Sequence, residues 1–389
     1  MTKGKSLNVK PHEGAGFRRK WMMAGFAAAF LVGDMLLYVR EAQPSSVEFL
    51  FGVAGYALAH LFWMVGQLRE VRPDGRVILT VALPLVFFVL VGLHPAVLPP
   101  AAAAAACAYS LVTAVSFATA LATRRVFYVL GIGLLLFSDM MIGGGLQGAS
   151  CCNWLIRPTY LASEACIFAS FLWSGGEWRI PFNRSEACRF AFVGGTLAFA
   201  CFGVSALNYP GGGYNPFMQM LSVLGRTEVN GVAYPACHFL FMAGMFLSAA
   251  SVLRVWVHLA FRAGDGWRRY VYGWGGALNA AGLCIIALVP ENVNMSFHNA
   301  GCHLATFGGG CILVARLGKG ADLAWAAWLV AVAVAFMLSI FLDAIPLSPW
   351  ATTLQKTLIV SFAVWSGWLA WRIEDRVLRG SVPHQCGVV

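Results

Sequence analysis

The chain has 389 residues, of which 59% are hydrophobic and only 11% are charged. Because a soluble domain usually carries roughly 25% charged residues, this composition excludes an ordinary soluble protein and indicates an integral membrane protein. The formal net charge of +10 would suit a nucleic-acid-binding protein, but the positions of the basic residues exclude that interpretation.

Twelve apolar segments follow one another along the chain. Each is close to or above the roughly 18 to 20 residues that a helix needs to cross a bilayer. A helix satisfies its own backbone hydrogen bonds in lipid, so we predict an all-α, polytopic integral membrane protein with about 12 transmembrane helices. The segments are residues 20–40, 48–68, 77–94, 97–123, 126–143, 153–174, 188–208, 235–260, 268–289, 296–316, 321–342 and 350–372.

The basic residues fall in or beside alternate connections between these segments. Of the 27 Lys and Arg residues, the exceptions are Arg40, Arg157, Arg226 and Lys356. Cytoplasmic connections are enriched in Lys and Arg, so the pattern predicts that both termini are cytoplasmic and that the chain lies in the cell (inner) membrane. The basicity therefore reflects topology, and the predicted partner is the bilayer rather than nucleic acid.

Two connections are long. Residues 175–189, GGEWRIPFNRSEACR, are polar and basic and divide the segments into six and six. We therefore predict two domains, residues 1–180 and 181–389. Residues 208–231 are rich in glycine and proline and are predicted to lie outside, where long connections are often functional.

Ionisable residues in the first half are predicted to share one depth. Asp34 and Asp139 each follow the cytoplasmic start of their segment by about 14 residues, which places both roughly 20 Å from that start at 1.5 Å per residue. Counted from outside, His60 and Glu164 reach about the same layer. Charged residues inside a membrane are costly and normally face a bundle interior or a water cavity. We predict a polar pocket that opens toward the outer leaflet.

Two tyrosines are predicted to face the same pocket. Tyr56 precedes His60 by four residues, and Tyr160 precedes Glu164 by four, a spacing that puts each pair on one helix face. Alternatively, a single buried Asp can be a hydrogen-bonding link between helices, and His60 can be a packing residue. Two acids in similar contexts, with a histidine and a glutamate at the same depth, favour a functional site.

Paired carboxylates support acid–base chemistry. Two acids in one pocket can share a proton, so that one acts as an acid while the other acts as a base. Glycosidases use such a pair for an oxocarbenium-like transition state. Hydrolysis of a vinyl ether, the 1-alkenyl bond of plasmalogens, needs an acid for the alkenyl carbon, a negative charge beside the cation and a base for water. No cofactor or metal is required.

Four motifs, FLVGDMLLYV, FLFGVAGYALAHLFW, LLLFSDMMIG and YLASEACIF, occur in this order. Over residues 18–175 their order and spacing resemble the acid, histidine, acid and Tyr-x-x-x-Gln elements of the lysoplasmalogenase (YhhN-like) family of multi-pass membrane proteins. The resemblance implies hydrolysis of a lysoplasmalogen-type lipid to a fatty aldehyde and glycerophospho-ethanolamine or -choline. It implies Asp34 and Asp139 as the catalytic pair. The residues implied to orient substrate or water are His60, Tyr56, Ser138, Tyr160 and Glu164.

The chain departs from the family pattern at two places. The family usually has glutamine where this chain has Glu164, so a third acid is added beside the pair. The family usually also has an extra helix before the first acid motif, where this chain has a short basic tail.

The second half, residues 190–372, resembles a six-helix membrane domain of unknown function through MLSVLGRTEVNG and LVPENVNMSFHNAGCH. One interpretation is a lipid-headgroup site, since arginine binds phosphate oxygens bidentately. A second is a metal site of three histidines and an acid, although the spacing matches no zinc signature. A third is that these polar residues cap helices in a hydrated connection between two helices. The residues concerned are Ser222, Arg226, His238, Glu291, His298 and His303.

Two other functions fit the same acids. Carboxylates at mid-depth also form the proton relays of proton-coupled transporters and lipid flippases. A non-catalytic lipid-binding membrane protein is the third candidate. The similarity between the two Asp motifs lies within the first half and not between the halves, which favours one composite site.

Overall fold

The computed structural model describes residues 13–39, 45–68, 73, 75–92, 98–123, 125–147, 150–172, 186–210, 213–262, 266–316, 321–341 and 348–380. The predicted domain boundary near residue 180 and the basic residues that precede residue 13 lie outside this part of the chain.

The described residues form twelve α-helices, and each predicted apolar segment overlaps one of them, which confirms the all-α fold. The helices are α1 (Glu13–Asp34), α2 (Val47–Gln67), α3 (Gly75–Gly92), α4 (Pro100–Thr123), α5 (Val126–Leu146), α6 (Ser150–Leu172), α7 (Glu186–Leu207), α8 (Pro235–Arg262), α9 (Trp267–Leu288), α10 (Met295–Arg316), α11 (Ala321–Phe341) and α12 (Ser348–Gly380).

Six of these helices are long and apolar enough to cross a bilayer, namely α2, α4, α5, α7, α8 and α9. Shorter apolar stretches lie in α1, α3 and α11, at Trp21–Leu37, Val81–Gly92 and Leu323–Phe336. The chain is therefore a multi-pass membrane protein. A count of twelve crossings and the cytoplasmic location of both termini stay predictions.

The helix α8 joins the two halves of the chain. It packs against α3 and α5 of the first half and against α7, α9 and α12 of the second. One core cluster accordingly combines Phe88, Met140 and Met141 with Phe239 and Phe246. The two predicted domains thus share a core, and their division at residue 180 stays a prediction.

The first half has its own aromatic core around Trp63 of α2. The Trp63 ring lies 3.8 Å from the Phe171 ring of α6 and 4.8 Å from the Tyr128 ring of α5, between centroids. Trp63 and Tyr128 are fully buried. Edge-to-face contacts of this kind fix ring orientations as well as burying area, so they hold α2, α5 and α6 against one another.

The α7–α8 loop, residues 208–234, folds back onto α8. It contains a 3₁₀ turn at Leu221–Gly225 and an antiparallel hairpin of β1 (Glu228–Val229) and β2 (Val232–Ala233). The turn residues Asn230 and Gly231 both have positive φ, 54° and 77°, as a tight hairpin turn requires. Leu224 and Gly225 are buried. The described part of the loop therefore packs against α8.

Candidate functional site

Asp34 stands at an irregular point of the first helix. It is the last residue of α1, and the chain continues as a π-helical turn, Met35–Val39. Such turns are rare and frequently occur at functional sites. On the neighbouring residue Gly33, a Cβ atom would lie 2.6 Å from the Tyr56 ring of α2. Because glycine lacks this atom, the ring can pass close to α1 and reach the carboxylate.

Two tyrosine hydroxyls donate to the same carboxylate oxygen. Tyr56 donates to Asp34 Oδ1 over 2.7 Å, and Tyr160 of α6 donates to the same atom. The two hydroxyl oxygens lie 3.1 Å apart, and both tyrosines are buried. Hydrogen bonds donated to an ionised carboxylate are stronger than bonds between neutral groups. The arrangement therefore stabilises a negative charge on Asp34.

Glu164 joins this group from the next turn of α6. It follows Tyr160 by four residues and interacts with both the Tyr160 hydroxyl and the Asp34 carboxylate. The spacing predicted a shared helix face, and the Tyr160 and Glu164 side chains do interact with each other. Asp34, Tyr56, Tyr160 and Glu164, from three helices, form what we call the Asp34 cluster.

Asp139 belongs to a second group, which we call the Asp139 cluster. Its Oδ2 accepts a hydrogen bond from the Tyr109 hydroxyl of α4 over 3.1 Å. The same hydroxyl oxygen lies 3.4 Å from His60 Nε2, and His60 is buried. Because Tyr109 gives its only proton to Asp139, its oxygen is left to accept from His60, which assigns the His60 proton to Nε2.

The two clusters meet on α2. Tyr56 belongs to the Asp34 cluster, and His60 belongs to the Asp139 cluster. The two residues are four positions apart in one helix, so their Cβ atoms lie about 5–6 Å apart on one face. A single helix face therefore carries one contact to each acid group.

Aromatic packing fixes the phenols of the Asp34 cluster. The Phe30 ring of α1 stacks on Tyr160 at 5.5 Å and meets Tyr56 edge-on at 5.1 Å, between centroids. Phe30 is buried. Locked side chains of this kind hold functional groups in one geometry, so the hydroxyls are positioned before any substrate arrives.

One predicted site residue links helices, and one residue that was not predicted belongs to the site. Ser138 donates to the Ile156 carbonyl of α6 over 3.3 Å, so it links α5 and α6. Tyr109 was not among the predicted site residues, yet it connects His60 to Asp139. The sequence did contain a signal for this role. Tyr109 is the one tyrosine of α4, and a tyrosine hydroxyl inside a helix bundle usually finds a hydrogen-bond partner.

In the second half, three of the predicted residues come together. The Arg226 Nε lies 2.6 Å from Glu291 Oε1, and the Ser222 hydroxyl donates to Glu291 Oε2 over 2.8 Å. The Glu291 side chain is 9% exposed and the Arg226 side chain 39%. Arg226 and Ser222 are loop residues, whereas Glu291 lies between α9 and α10. These contacts fasten the α7–α8 loop to the α9–α10 connection.

The three histidines of the second half do not join this group directly. His238 Nδ1 lies 2.7 Å from the Gly225 carbonyl oxygen, and His298 Nδ1 lies 2.8 Å from the Val289 carbonyl oxygen. His303 is exposed on α10. Within the described residues, no group of three or more His, Cys, Asp or Glu side chains could hold a metal ion, so the metal interpretation has no geometric support there.

The first half of the chain is similar to a known protein family. No curated protein and no solved structure matches the chain. The similarity of the second half to a six-helix domain stays a prediction. The YhhN family matches residues 6–171, which include both acid clusters. This match over residues 6–171 confirms the YhhN-like resemblance that the motifs predicted.

Proposed function

We propose that the chain is a membrane hydrolase that cleaves the vinyl ether bond of lysoplasmalogen-type lipids, with Asp34 and Asp139 as its acid–base pair. The family match over residues 6–171 supports a membrane hydrolase. The observation that carries the proposal is that each carboxylate is held by a tyrosine hydroxyl and that both connect to one face of α2. Asp34 does so directly through Tyr56, and Asp139 does so through Tyr109 and His60.

The reaction adds one water molecule across the carbon–carbon double bond of the vinyl ether. A proton is transferred to the alkenyl carbon that is not bonded to oxygen, and the carbon bonded to oxygen becomes an oxocarbenium ion. Water attacks that ion and loses a proton, which gives a hemiacetal. The hemiacetal collapses with transfer of its hydroxyl proton to the glycerol oxygen, and the products are a fatty aldehyde and a free glycerol hydroxyl.

The surroundings of the two acids suit different roles. Asp34 accepts two phenol hydrogen bonds on one oxygen, which stabilise its negative charge and suit the base and the stabiliser of the oxocarbenium ion. Asp139 accepts one phenol hydrogen bond, so its other oxygen is available to carry a proton. We therefore assign Asp139 as the acid, which must lie within hydrogen-bond reach of the alkenyl carbon, directly or through one water.

The tyrosines and His60 act as positioning residues. Tyr56 and Tyr160 orient the Asp34 carboxylate, and Tyr109 orients Asp139 while it is itself held by His60. Glu164 sits beside Asp34, where it can hold the attacking water. The glycerol headgroup would then face the outer leaflet, as the predicted depth of the acids requires.

The test is aldehyde release by purified protein in detergent, with a 1-alkenyl lysophospholipid as substrate. Detergent abolishes transport across a membrane but leaves hydrolysis measurable. The matched control is the saturated 1-alkyl ether of the same headgroup and chain length, which has no alkenyl carbon to protonate. Release from the alkenyl lipid alone is expected. Equal turnover of the alkyl lipid, or no release from either, would reject the proposal.

A further inference from the structure

A groove lies between the α7–α8 loop and α12. Its volume is about 350 Å³, within the range of small-molecule sites. Pro216 and Phe217 of the loop form one wall, and Lys356, Thr357, Val360 and Ser361 of α12 form the other. The groove shares no residue with the Asp34 cluster, the Asp139 cluster or the Ser222–Arg226–Glu291 group.

Lys356 brings an uncompensated positive charge to this groove. Its Nζ donates to the Gln219 carbonyl oxygen over 2.6 Å and lies 5.6 Å from the centroid of the Tyr214 ring. Among the described residues, no carboxylate pairs with it. An ammonium group has three hydrogens to donate, so one hydrogen bond and one ring contact leave both charge and donors available to an anion.

The α12 wall of the groove carries charged, polar and apolar side chains. Thr357 directly follows Lys356, and Val360 and Ser361 lie one turn farther along the helix. The Val360 side chain is 45% exposed, and Phe217 on the facing wall is 69% exposed. The groove therefore combines a cationic side chain with exposed apolar ones, and a phospholipid has both an anionic and an apolar part.

The loop wall of the groove is fixed in place. The Thr352 hydroxyl donates to the Phe217 carbonyl oxygen, and the Leu221 amide donates to Gln355 Oε1 over 2.9 Å. With the Lys356 contact, three neighbouring side chains of α12 hold the loop backbone. A site that is formed before its ligand arrives loses less conformational entropy on binding, so the groove is organised for an occupant.

We propose that this groove binds a phospholipid, with its anionic phosphate beside Lys356 and its acyl chain along Val360 and Phe217. Basic side chains near a membrane surface attract anionic headgroups, and exposed apolar side chains favour a lipid chain. The proposal concerns the second half of the chain alone and does not depend on the hydrolase activity.

The test is thermal unfolding of the full-length protein in neutral detergent. Phosphatidylglycerol is added in one arm, diacylglycerol with the same chains in the second, and inorganic phosphate in the third. A ligand that binds only the folded state raises the unfolding temperature. We expect phosphatidylglycerol to raise it by several degrees, and the other two additions to leave it unchanged.

Substitutions in the groove test whether phosphatidylglycerol binds there. Lys356→Gln should remove most of the phosphatidylglycerol shift, whereas Lys356→Arg should keep it. Arg157→Gln is the matched control, because it removes an exposed cation of α6 that does not line the groove. Phe217→Ala changes a largely exposed side chain and should fold normally, with apparent affinity reduced about threefold or more by the lost chain contact.

Four outcomes would overturn the proposal. An equal shift from diacylglycerol would show that the phosphate makes no difference, and an equal shift from inorganic phosphate would indicate a plain anion site. An undiminished shift in Lys356→Gln would place the lipid elsewhere. If that variant does not fold, full phosphatidylglycerol affinity in Phe217→Ala would reject the groove.

Discussion

Tyr56 and His60 lie one turn apart on the same face of α2, and each leads to a different aspartate. The Tyr56 hydroxyl donates to Asp34 over 2.7 Å. His60 reaches Asp139 through the Tyr109 hydroxyl, 3.4 Å from His60 Nε2 and 3.1 Å from the carboxylate. The helix α2 is thus the structural link between the two acids, and substitutions around it test the proposed chemistry.

The first prediction concerns Tyr109. Tyr109→Phe removes the hydroxyl between His60 and Asp139 and should lower kcat about tenfold, less than the 10²- to 10⁴-fold of a general acid itself, because Tyr109 acts through Asp139. KM should change little. Steady-state aldehyde release measures both constants. Tyr128→Phe is the matched control, since its buried hydroxyl contacts the Ser116 carbonyl. A loss confined to KM, or an equal kcat loss in the control, would argue against this role.

The second prediction concerns Gly33. In Gly33→Ala the added Cβ would lie 2.6 Å from the Tyr56 ring, so the ring must move away from Asp34. We expect a cost of about 1–3 kcal/mol in stability together with reduced kcat, measured by thermal unfolding and aldehyde release. Gly203→Ala in α7 is the control, because its Cβ meets nothing within 4 Å. Full activity in Gly33→Ala would show that the Tyr56 contact is dispensable.

The third prediction concerns Glu164. The resembling family usually has glutamine at this position, and glutamine can still orient a water through its amide oxygen. Glu164→Gln should therefore keep kcat within about threefold of the unsubstituted protein, whereas a proton-transferring acid would lose about 100-fold or more. Steady-state aldehyde release by the folded Glu164→Gln protein measures this kcat. A large loss would make Glu164, rather than one of the aspartates, a member of the acid–base pair.

The fourth prediction concerns the loop fastening in the second half. Glu291→Gln leaves Arg226 without its charge partner and should lower stability by about 1–3 kcal/mol, since hydrogen bonds between charged groups are lost. Glu228→Gln, an exposed position in β1, is the control. Aldehyde release by the folded Glu291→Gln protein should be unchanged. Loss of hydrolysis in that variant would mean that both halves contribute to the reaction.

Part of this architecture could be predicted from sequence, because it depends on spacing within one helix. The apolar segments located the helices, and four-residue spacing placed Tyr160 and Glu164 on one face of α6. Contacts between helices were harder to predict. Tyr109 lies in a helix rich in alanine and gains its role only through the packing of α4 against α2. Lys356 was counted as one basic residue of a connection, since its groove exists only after the α7–α8 loop folds against α12.

The π-helical turn after Asp34 also escaped sequence reasoning. Residues 35–39, MLLYV, are as apolar as the helix before them, and no glycine or proline interrupts the pattern. The turn packs closely against α2, where a Cβ atom on Gly52 would lie 2.5 Å from the Leu37 side chain. Periodicity within one segment carries no information about such an approach.

The central claim is that Asp34 and Asp139 carry out proton transfer as one unit. Aldehyde release by Asp34→Asn, Asp139→Asn and the double variant tests it most directly, with Glu228→Gln as the control. Each single variant should lose about 100-fold or more of kcat, and the double variant should be little worse than the poorer single one, as residues of one catalytic unit behave. Activity near that of the unsubstituted protein in either folded single variant would contradict the account.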